Sequence, residues 1–209
     1  MARLDTNTIN VYSTIHLENL KNTTIFVVDM INGFCKEGAM SDNNIMDIIP
    51  NITKLLTKYA KKNQFPYFFV DSHEESAIEF NSFPKHCIKD TYESEIVSEL
   101  VSFVNNDYII YKNSTNGFHE LNEYLDNLKK DNTKNIIITG CCTDICVMQF
   151  TLTLKTWLNA NDMDIDVIIP LDCVDTYDSG DEYHPANKFN MMAITLMEQA
   201  GVKIYRSIT

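Results

Sequence analysis

The sequence predicts a three-layer α/β/α domain built on a doubly wound, mostly parallel sheet of six strands. Six short runs rich in Ile, Val and Phe recur along the chain, and segments with helical periodicity separate them. Near-continuous apolar runs are typical of strands covered on both faces, and their alternation with helices indicates βαβ units. The predicted strands are 23–29, 65–71, 107–112, 135–140, 165–170 and 202–205.

The segments between these strands carry apolar residues at helical spacing, and the first two follow the i, i+3, i+4, i+7 template of an amphipathic helix. Pro50 precedes the first stripe and suits the first turn of a helix. The residues that define the predicted helices are Ile52, Leu55, Leu56 and Tyr59, then Leu121, Tyr124, Leu125 and Leu128, then Val147, Phe150, Leu154 and Leu158, and finally Met192, Ile194, Leu196 and Ala200.

Length and composition indicate one globular domain. The 209 residues include 44% apolar and 22% charged residues, which is enough to bury a core and excludes a disordered or low-complexity chain. Neither an internal repeat nor a linker divides the chain. We therefore expect an N-terminal extension over residues 1–22 and a single domain over residues 23–209.

Charge and cysteine content narrow the classes of partner. Seventeen basic and 29 acidic residues give a formal net charge of −12, which disfavours binding to nucleic acid or to an anionic membrane. The sequence shows neither a membrane-spanning apolar run nor a secretory signal, so we expect a cytoplasmic protein. Its six cysteines are irregularly spaced without a CxxC pair, which is typical of reduced thiols.

Polar residues stand at the ends of several predicted strands. Asp29, Asp71 and Lys112 close three of them, and a fourth runs directly into the stretch after Gly140. In open α/β sheets, ligands bind in the crevice beyond the carboxyl ends of the strands. We therefore expect a functional site there. The weakly periodic segment 71–91 suits a functional loop, whereas the acidic segment 172–184 has the composition of a solvated loop.

The stretch from Gly140 to Val147 predicts a nucleophile, because it follows a strand and opens a helix. Cys146 then falls in the first helical turn, where free N–H groups and the helix dipole favour a thiolate and can hold an oxyanion. Thr143 or a neighbour can cap this helix, and Asp144 suits its positive end. From position alone, Cys146 can equally be a small buried core residue.

Asp29 and Lys112 bear on that choice. A carboxylate at the end of a buried strand needs a partner, and beside a thiol Asp29 can accept its proton. Lys112 can stabilise the negative charge that develops. The alternative is a structural ion pair between these two residues. Three chemically useful groups at strand ends, one of them a thiol, favour catalysis.

These residues resemble the isochorismatase-like cysteine hydrolase family, and within it the nicotinamidases, over nearly the whole chain. The resemblance implies an Asp29, Lys112 and Cys146 triad. It also implies a cis peptide between Cys141 and Cys142, and an oxyanion hole made by the amides of Cys142 and Cys146. The three matching motifs are Asp29 to Phe34 in the form D-x-x-N-x-F, Lys112 followed by Asn116, Gly117 and Phe118, and the stretch from Gly140 to Val147.

A metal site is predicted on the loop after the second strand. Asp71, His73 and the more distant His86 can form a mixed nitrogen and oxygen site, although loop histidines are often plain surface residues. The resemblance implies that these three residues bind a metal, with Glu79 as a further ligand. The ligand set suits zinc best, and manganese or iron(II) are tolerated.

The resemblance also implies that Phe34 and Phe83 enclose a flat substrate ring, and Phe118 belongs either to this set or to the core. Two features depart from the family pattern. The loop between His73 and Glu79 is shorter than usual, and Phe83 stands where tryptophan is frequent.

The expected activity is hydrolysis of nicotinamide to nicotinic acid and ammonia, a step of NAD salvage, through a thioester on the cysteine. The expected partner is a small aromatic amide, and a homo-oligomer is expected by family analogy. The alternative enzyme is an amidase or ureido hydrolase of the same family that needs no metal, and the vinyl-ether hydrolase branch is disfavoured because Cys146 is present. The alternative from another class is a non-catalytic scaffold on a flavodoxin-like sheet.

Overall fold

The computed structural model describes residues 3, 4, 6–121, 124, 125, 128 and 132–209. In this part of the chain six strands form one sheet, and each strand pairs with its neighbours in parallel. The predicted fold class is thereby confirmed. The sheet contains β2 (Thr23–Val28), β3 (Tyr67–Asp71), β4 (Ile109–Lys112), β5 (Asn135–Gly140), β6 (Asp166–Pro170) and β7 (Lys203–Tyr205). A separate pair is formed by β1 (Thr14–Ile15) and β8 (Ser207–Ile208).

The sheet order is β4-β3-β2-β5-β6-β7, so the chain first builds outward from β2 in one direction and then in the other. The switch between the two halves lies between β2 and β5. A crevice opens at such a point beyond the carboxyl ends of the strands. The topology therefore places the segments that follow β2 and β5 at the entrance of this crevice.

Helices cover both faces of the sheet. They are α1 (Thr6–Asn10), α2 (Asn32–Cys35), α3 (Ile49–Ala60), α4 (Met148–Ala160) and α5 (Ala186–Gln199), and a π-helical turn over Thr143–Val147 precedes α4. In the segment 121–131, residues 124, 125 and 128 are helical and Leu121, Leu125 and Leu128 are buried, while residues 122, 123, 126, 127 and 129–131 lie outside the described part. No helix among the described residues is long and apolar enough to cross a bilayer.

The hydrophobic core has two halves in the described part, because successive strand residues point to opposite faces. On β2, Ile25 and Val27 pack with α3, whereas Phe26 and Val28 pack with α4 and α5. All six residues of β5 are buried. The predicted stripes of α3 and α4 are buried as expected, but Met192 and Leu196 of α5 are exposed.

Gly140 allows β5 to approach β2 closely at the end of the sheet. Its φ is +112°, and a Cβ at this position would lie 2.0 Å from the carbonyl oxygen of Val28. A side chain at residue 140 would therefore displace either strand. This glycine fixes the place where the chain leaves β5.

Two chain segments differ from their expected character. Residues of the segment 1–22 pack onto the domain: β1 pairs with β8, and Leu17 and Leu20 are buried. The segment 172–184, expected to be a solvated loop, is partly internal, since Asp175, Thr176 and His184 are buried. Acidic composition misled the second expectation because several of these acids are held by internal hydrogen bonds. The boundary at residue 22 stays a prediction.

Candidate active site

Four residues from different strand ends meet at the switch point. Asp29 follows β2, and Asp71 and Lys112 are paired last residues of β3 and β4. Cys146 lies in the turn that follows β5. All four are buried, with Cys146 6% exposed. Asp29 has a φ of +51°, a left-handed conformation that aspartate adopts only at some cost.

Lys112 is the centre of this group. Its Nζ lies 2.8 Å from Oδ2 of Asp29, 3.0 Å from Oδ1 of Asp71 and 3.9 Å from Sγ of Cys146. The backbone carbonyl of Ser114 also accepts from this ammonium group. One buried cation therefore pairs with two carboxylates and lies beside the sulfur.

Burial and neighbouring charges shift the pKa values of these groups in opposite directions. Burial raises the pKa of Asp29 to about 6, against the lowering effect of Lys112. Burial also acts to raise the pKa of Asp71, but Lys112 and the two imidazoles outweigh it and leave that pKa below its usual value. The pKa of Lys112 is raised, since the two carboxylates outweigh its desolvation. At neutral pH the group thus holds an ammonium between two carboxylates.

The buried position of Cys146 opposes negative charge on its sulfur. Burial raises the pKa of the thiol well above the ordinary value, and Lys112 offsets only part of that effect. The thiolate expected at the helix N-terminus stays a prediction. Asp29 and the sulfur both contact Lys112, so a base lies nearby to take the thiol proton when the sulfur reacts.

The turn that carries Cys146 has a defined backbone. The peptide between Cys141 and Cys142 is cis, as the family resemblance implies. Cys142 is the N-cap residue and makes no side-chain cap, so capping by Thr143 is not seen. The amides of Ile145 and Val147 both donate to the carbonyl of Cys142. The oxyanion role of the Cys142 and Cys146 amides stays a prediction.

Beside this group lies a set of metal-binding side chains. Asp71, His73 and His86 offer ligand atoms that lie within 4.8 Å of one another, and all three are buried. Oδ2 of Asp71 is 3.1 Å from Nε2 of His73 and 3.3 Å from Nε2 of His86. Asp71 thus contacts Lys112 through one oxygen and both imidazoles through the other.

The outer ring nitrogens hold these imidazoles in place. Nδ1 of His73 lies 3.2 Å from Oδ1 of Asn113, and Nδ1 of His86 lies 2.8 Å from the carbonyl of Pro84. Each Nδ1 faces an acceptor and can donate to it, so Nε2 is the ring nitrogen that could bind a metal. Nε2 of His73 makes no hydrogen bond of good geometry although it is buried. A divalent cation fits this arrangement, because it would bind both Nε2 atoms and the Asp71 oxygen that lies beside them.

Glu79 is not part of this set. Its carboxylate accepts hydrogen bonds from the hydroxyl and the amide of Thr115, and both residues line the pocket next to Cys146. Glu79 is therefore near the predicted metal position but is held by another partner. Its role as a ligand stays a prediction.

A small pocket joins the thiol of Cys146 to the imidazole of His86. Phe34 and Phe83 line it as the resemblance implies, and Phe34 lies 5.7 Å from the ring of His86. Phe118 does not line this pocket, and its ring packs 6.2 Å from Trp157 on the core. The full lining is Phe34, Met40, Asp71, Glu79, Phe83, His86, Thr115, Cys142, Ile145 and Cys146.

Sequence reasoning missed several residues around the site. Phe80 packs its ring 5.2 Å from His73, and Asn113 and Thr115 hold the side chains described above. His184 contacts Asp144, two residues before the nucleophile candidate. The adjacency of Asn113 and Thr115 to Lys112 was an available signal. No sequence signal pointed to His184, which is distant in sequence from the other site residues.

The chain is similar to known hydrolases in sequence. Residues 23–206 match the family model described as the isochorismatase domain. Nicotinamidase 1 of Arabidopsis thaliana is 29% identical over 170 residues, covering 75% of this chain and 67% of that protein. Another Arabidopsis thaliana protein, named as a probable inactive nicotinamidase, is 25% identical over 142 residues, covering 63% of this chain and 72% of its own.

A solved structure shows the same fold. The zinc complex of the pyrazinamidase of Pyrococcus horikoshii has a TM-score of 0.70 to this chain, at 24% identity, and covers 88% of this chain and 98% of its own.

Proposed function

The chain belongs to the isochorismatase family of hydrolases, and from that premise we propose that it is a nicotinamidase, which converts nicotinamide to nicotinic acid and ammonia. One observation carries the proposal. The buried thiol of Cys146, with its acid and ammonium partners, borders the same small pocket as the imidazole of His86. A flat ring with a nitrogen at one edge and a carboxamide at the other would meet both groups at once.

In the proposed reaction Asp29 takes the proton of the Cys146 thiol while the sulfur attacks the carboxamide carbon. The C–S bond forms as the carbonyl π electrons move to oxygen, and the amides of Cys142 and Cys146 hold that oxyanion. Asp29 then delivers its proton to the amide nitrogen as the C–N bond breaks, and ammonia leaves. Water, deprotonated by Asp29, cleaves the thioester and returns the thiol.

Lys112 keeps this group poised for the reaction. It holds Asp29 in its ionised form although the site is buried. It also stabilises negative charge on the sulfur, because its ammonium lies 3.9 Å from Sγ. The Lys112 ammonium then balances the negative charge of the oxyanion.

Asp71, His73 and His86 would hold a divalent metal, with Glu79 as the predicted further ligand. Two imidazoles and a carboxylate suit zinc best, and manganese or iron(II) also fit such ligands. The metal would bind the pyridine nitrogen and so position the ring. Phe34 and Phe83 would lie against the ring and exclude water from the reacting carbon.

Ammonia release from nicotinamide tests the proposal directly. The assay is needed because one relative is named as probably inactive. Wild-type protein should release ammonia, and Cys146→Ala should lower the rate by about 10⁴-fold or more. Cys173→Ala, which removes a buried thiol outside the pocket, serves as the matched control and should retain activity. No release from the wild type with metal present would reject the function.

A metal-independent amidase or ureido hydrolase is the remaining alternative within the family. Elemental analysis separates the two, because the proposed function requires about one equivalent of bound metal per chain. Ammonia release that survives complete metal removal without a change in KM for nicotinamide would favour the alternative.

A further inference from the structure

A buried histidine with no part in the proposed chemistry lies behind the turn of the nucleophile. Asp144 belongs to the π-helical turn over Thr143–Val147, two residues before Cys146. Its carboxylate has a partner at each oxygen. Oδ1 accepts from the hydroxyl of Thr176, and Oδ2 lies 2.9 Å from Nε2 of His184.

The partners of His184 hold its ring at both nitrogens. Nε2 lies 2.9 Å from Oδ2 of Asp144, and Nδ1 lies 3.1 Å from the backbone carbonyl of Tyr177. The imidazole therefore bridges the turn of the nucleophile and the segment 172–184.

Two aromatic rings also hold the imidazole. The ring of Tyr177 stacks on His184 at 3.8 Å with an interplanar angle of 6°, and that of Phe189 stacks on it at 3.8 Å and 26°. His184 is thus fixed by two stacked rings and two hydrogen-bond partners.

This imidazole ties two further parts of the chain to the turn. Asp144 lies in the turn itself, Tyr177 in the segment 172–184, and Phe189 in α5. The same segment also reaches the turn through its backbone, because the amide of Thr143 donates to the carbonyl of Asp175 at 3.0 Å. The position of the turn therefore depends on groups that do not line the pocket.

The pair has a second effect on the sulfur. A buried carboxylate in the same turn that lacks a partner would oppose negative charge on Cys146 as it reacts. The contact with Nε2 of His184 gives that carboxylate a partner. Both effects act through Asp144, because His184 does not line the pocket.

We propose that His184 is a positioning residue for the nucleophile: paired with Asp144, it holds the turn of Cys146 in its reactive placement and gives the buried acid of that turn a partner. The inference rests on the proposed role of Cys146 but not on the identity of the substrate.

The test measures the rate at which iodoacetamide alkylates Cys146, together with kcat and KM for nicotinamide. His184→Gln should lower both the alkylation rate and kcat by about 10-fold to 100-fold, with KM within about twofold, because the turn moves and Asp144 is left bare. The double variant Asp144→Asn with His184→Gln removes the bare charge and should recover most of the alkylation rate. Tyr183→Ala, which changes an exposed neighbour, is the control.

Two results would overturn the proposal: alkylation of His184→Gln at the wild-type rate, or a double variant that reacts no faster than the single one. If His184→Gln does not fold, Thr176→Val removes the other hydrogen bond to Asp144 and should slow alkylation by about threefold to tenfold, and an unchanged rate counts against the proposal. Wild-type protein that is alkylated at Cys146 but releases no ammonia would reject the nicotinamidase function and leave this inference intact.

Discussion

The two halves of the site are built differently. Asp29, Lys112 and Cys146 stand at strand ends or in the turn directly after one, so the parallel sheet brings them together. The metal-binding half begins at a strand end with Asp71, but His73 and His86 lie on an irregular loop. That loop is anchored by backbone pairing, since the amide of His73 donates to the carbonyl of Cys87. Strand ends thus position the reactive group, and loop contacts position the ligands.

This difference shows what each half depends on. The strand-end half is held by sheet register and by one buried ammonium. The loop half is held by a short stretch of backbone pairing and by single side-chain contacts such as that between Asn113 and His73. We expect changes in the first half to stop chemistry without releasing metal, and changes in the second to do the reverse. Lys112, which contacts both, is the exception.

Lys112→Met should have the largest effect, because it joins the halves. It leaves two buried carboxylates without their cation, and we expect a loss of about 3–5 kcal/mol in the free energy of unfolding, or about 10 °C in Tm. Ammonia release should fall below detection. Thermal denaturation and the ammonia assay check this, with the exposed Lys89→Met as control. A variant with wild-type Tm would show that the carboxylates need no buried cation.

Asp29→Asn should impair the reactive half of the site and leave the metal-binding half intact. The thiol of Cys146 has a raised pKa and loses its base, so kcat should fall by about 10³-fold to 10⁴-fold while bound metal stays unchanged. Elemental analysis and ammonia release measure the two halves independently. Asp107→Asn, at an exposed position, is the matched control. Loss of the metal together with activity would mean that the halves are not separable.

His86→Ala should have the opposite pattern. Metal affinity should fall by about 100-fold and KM for nicotinamide should rise, because one imidazole ligand is gone. The rate of iodoacetamide alkylation at Cys146 should stay within about threefold, since the Asp29 and Lys112 partners remain. Competition with a metal indicator gives the affinity, and the exposed His16→Ala is the control. An equal loss of metal affinity in the control would discredit the site.

Glu79→Gln should have the smallest effect. Its carboxylate is already held by Thr115, so we expect metal affinity to drop by less than about tenfold, well short of the loss in His86→Ala. The same indicator titration measures it. A loss as large as that of His86→Ala would establish Glu79 as a full ligand and would mean that Thr115 releases it when the metal binds.

The sequence was most informative where one physical rule fixes the geometry. Buried parallel strands read as continuous apolar runs, so the six strands and the residues at their ends could be predicted. The pairing of β1 with β8 and the internal course of residues 172–184 could not, because both depend on contacts distant in sequence. His184 was missed for that reason, and the acids around it resemble a solvated surface. The pocket aromatics were reached only through the family motifs, and Phe118 shows that a motif residue can pack elsewhere.

Asp71 contacts both halves of the site, and it can therefore couple metal binding in one half to ligand binding in the other. One oxygen lies 3.0 Å from Nζ of Lys112, and the other faces both imidazoles. Thermodynamic linkage is reciprocal, so a ligand that binds the thiol side more tightly when metal is present must strengthen metal binding by the same factor. An inhibitor that reaches the sulfur could therefore also retain the ion against a chelator.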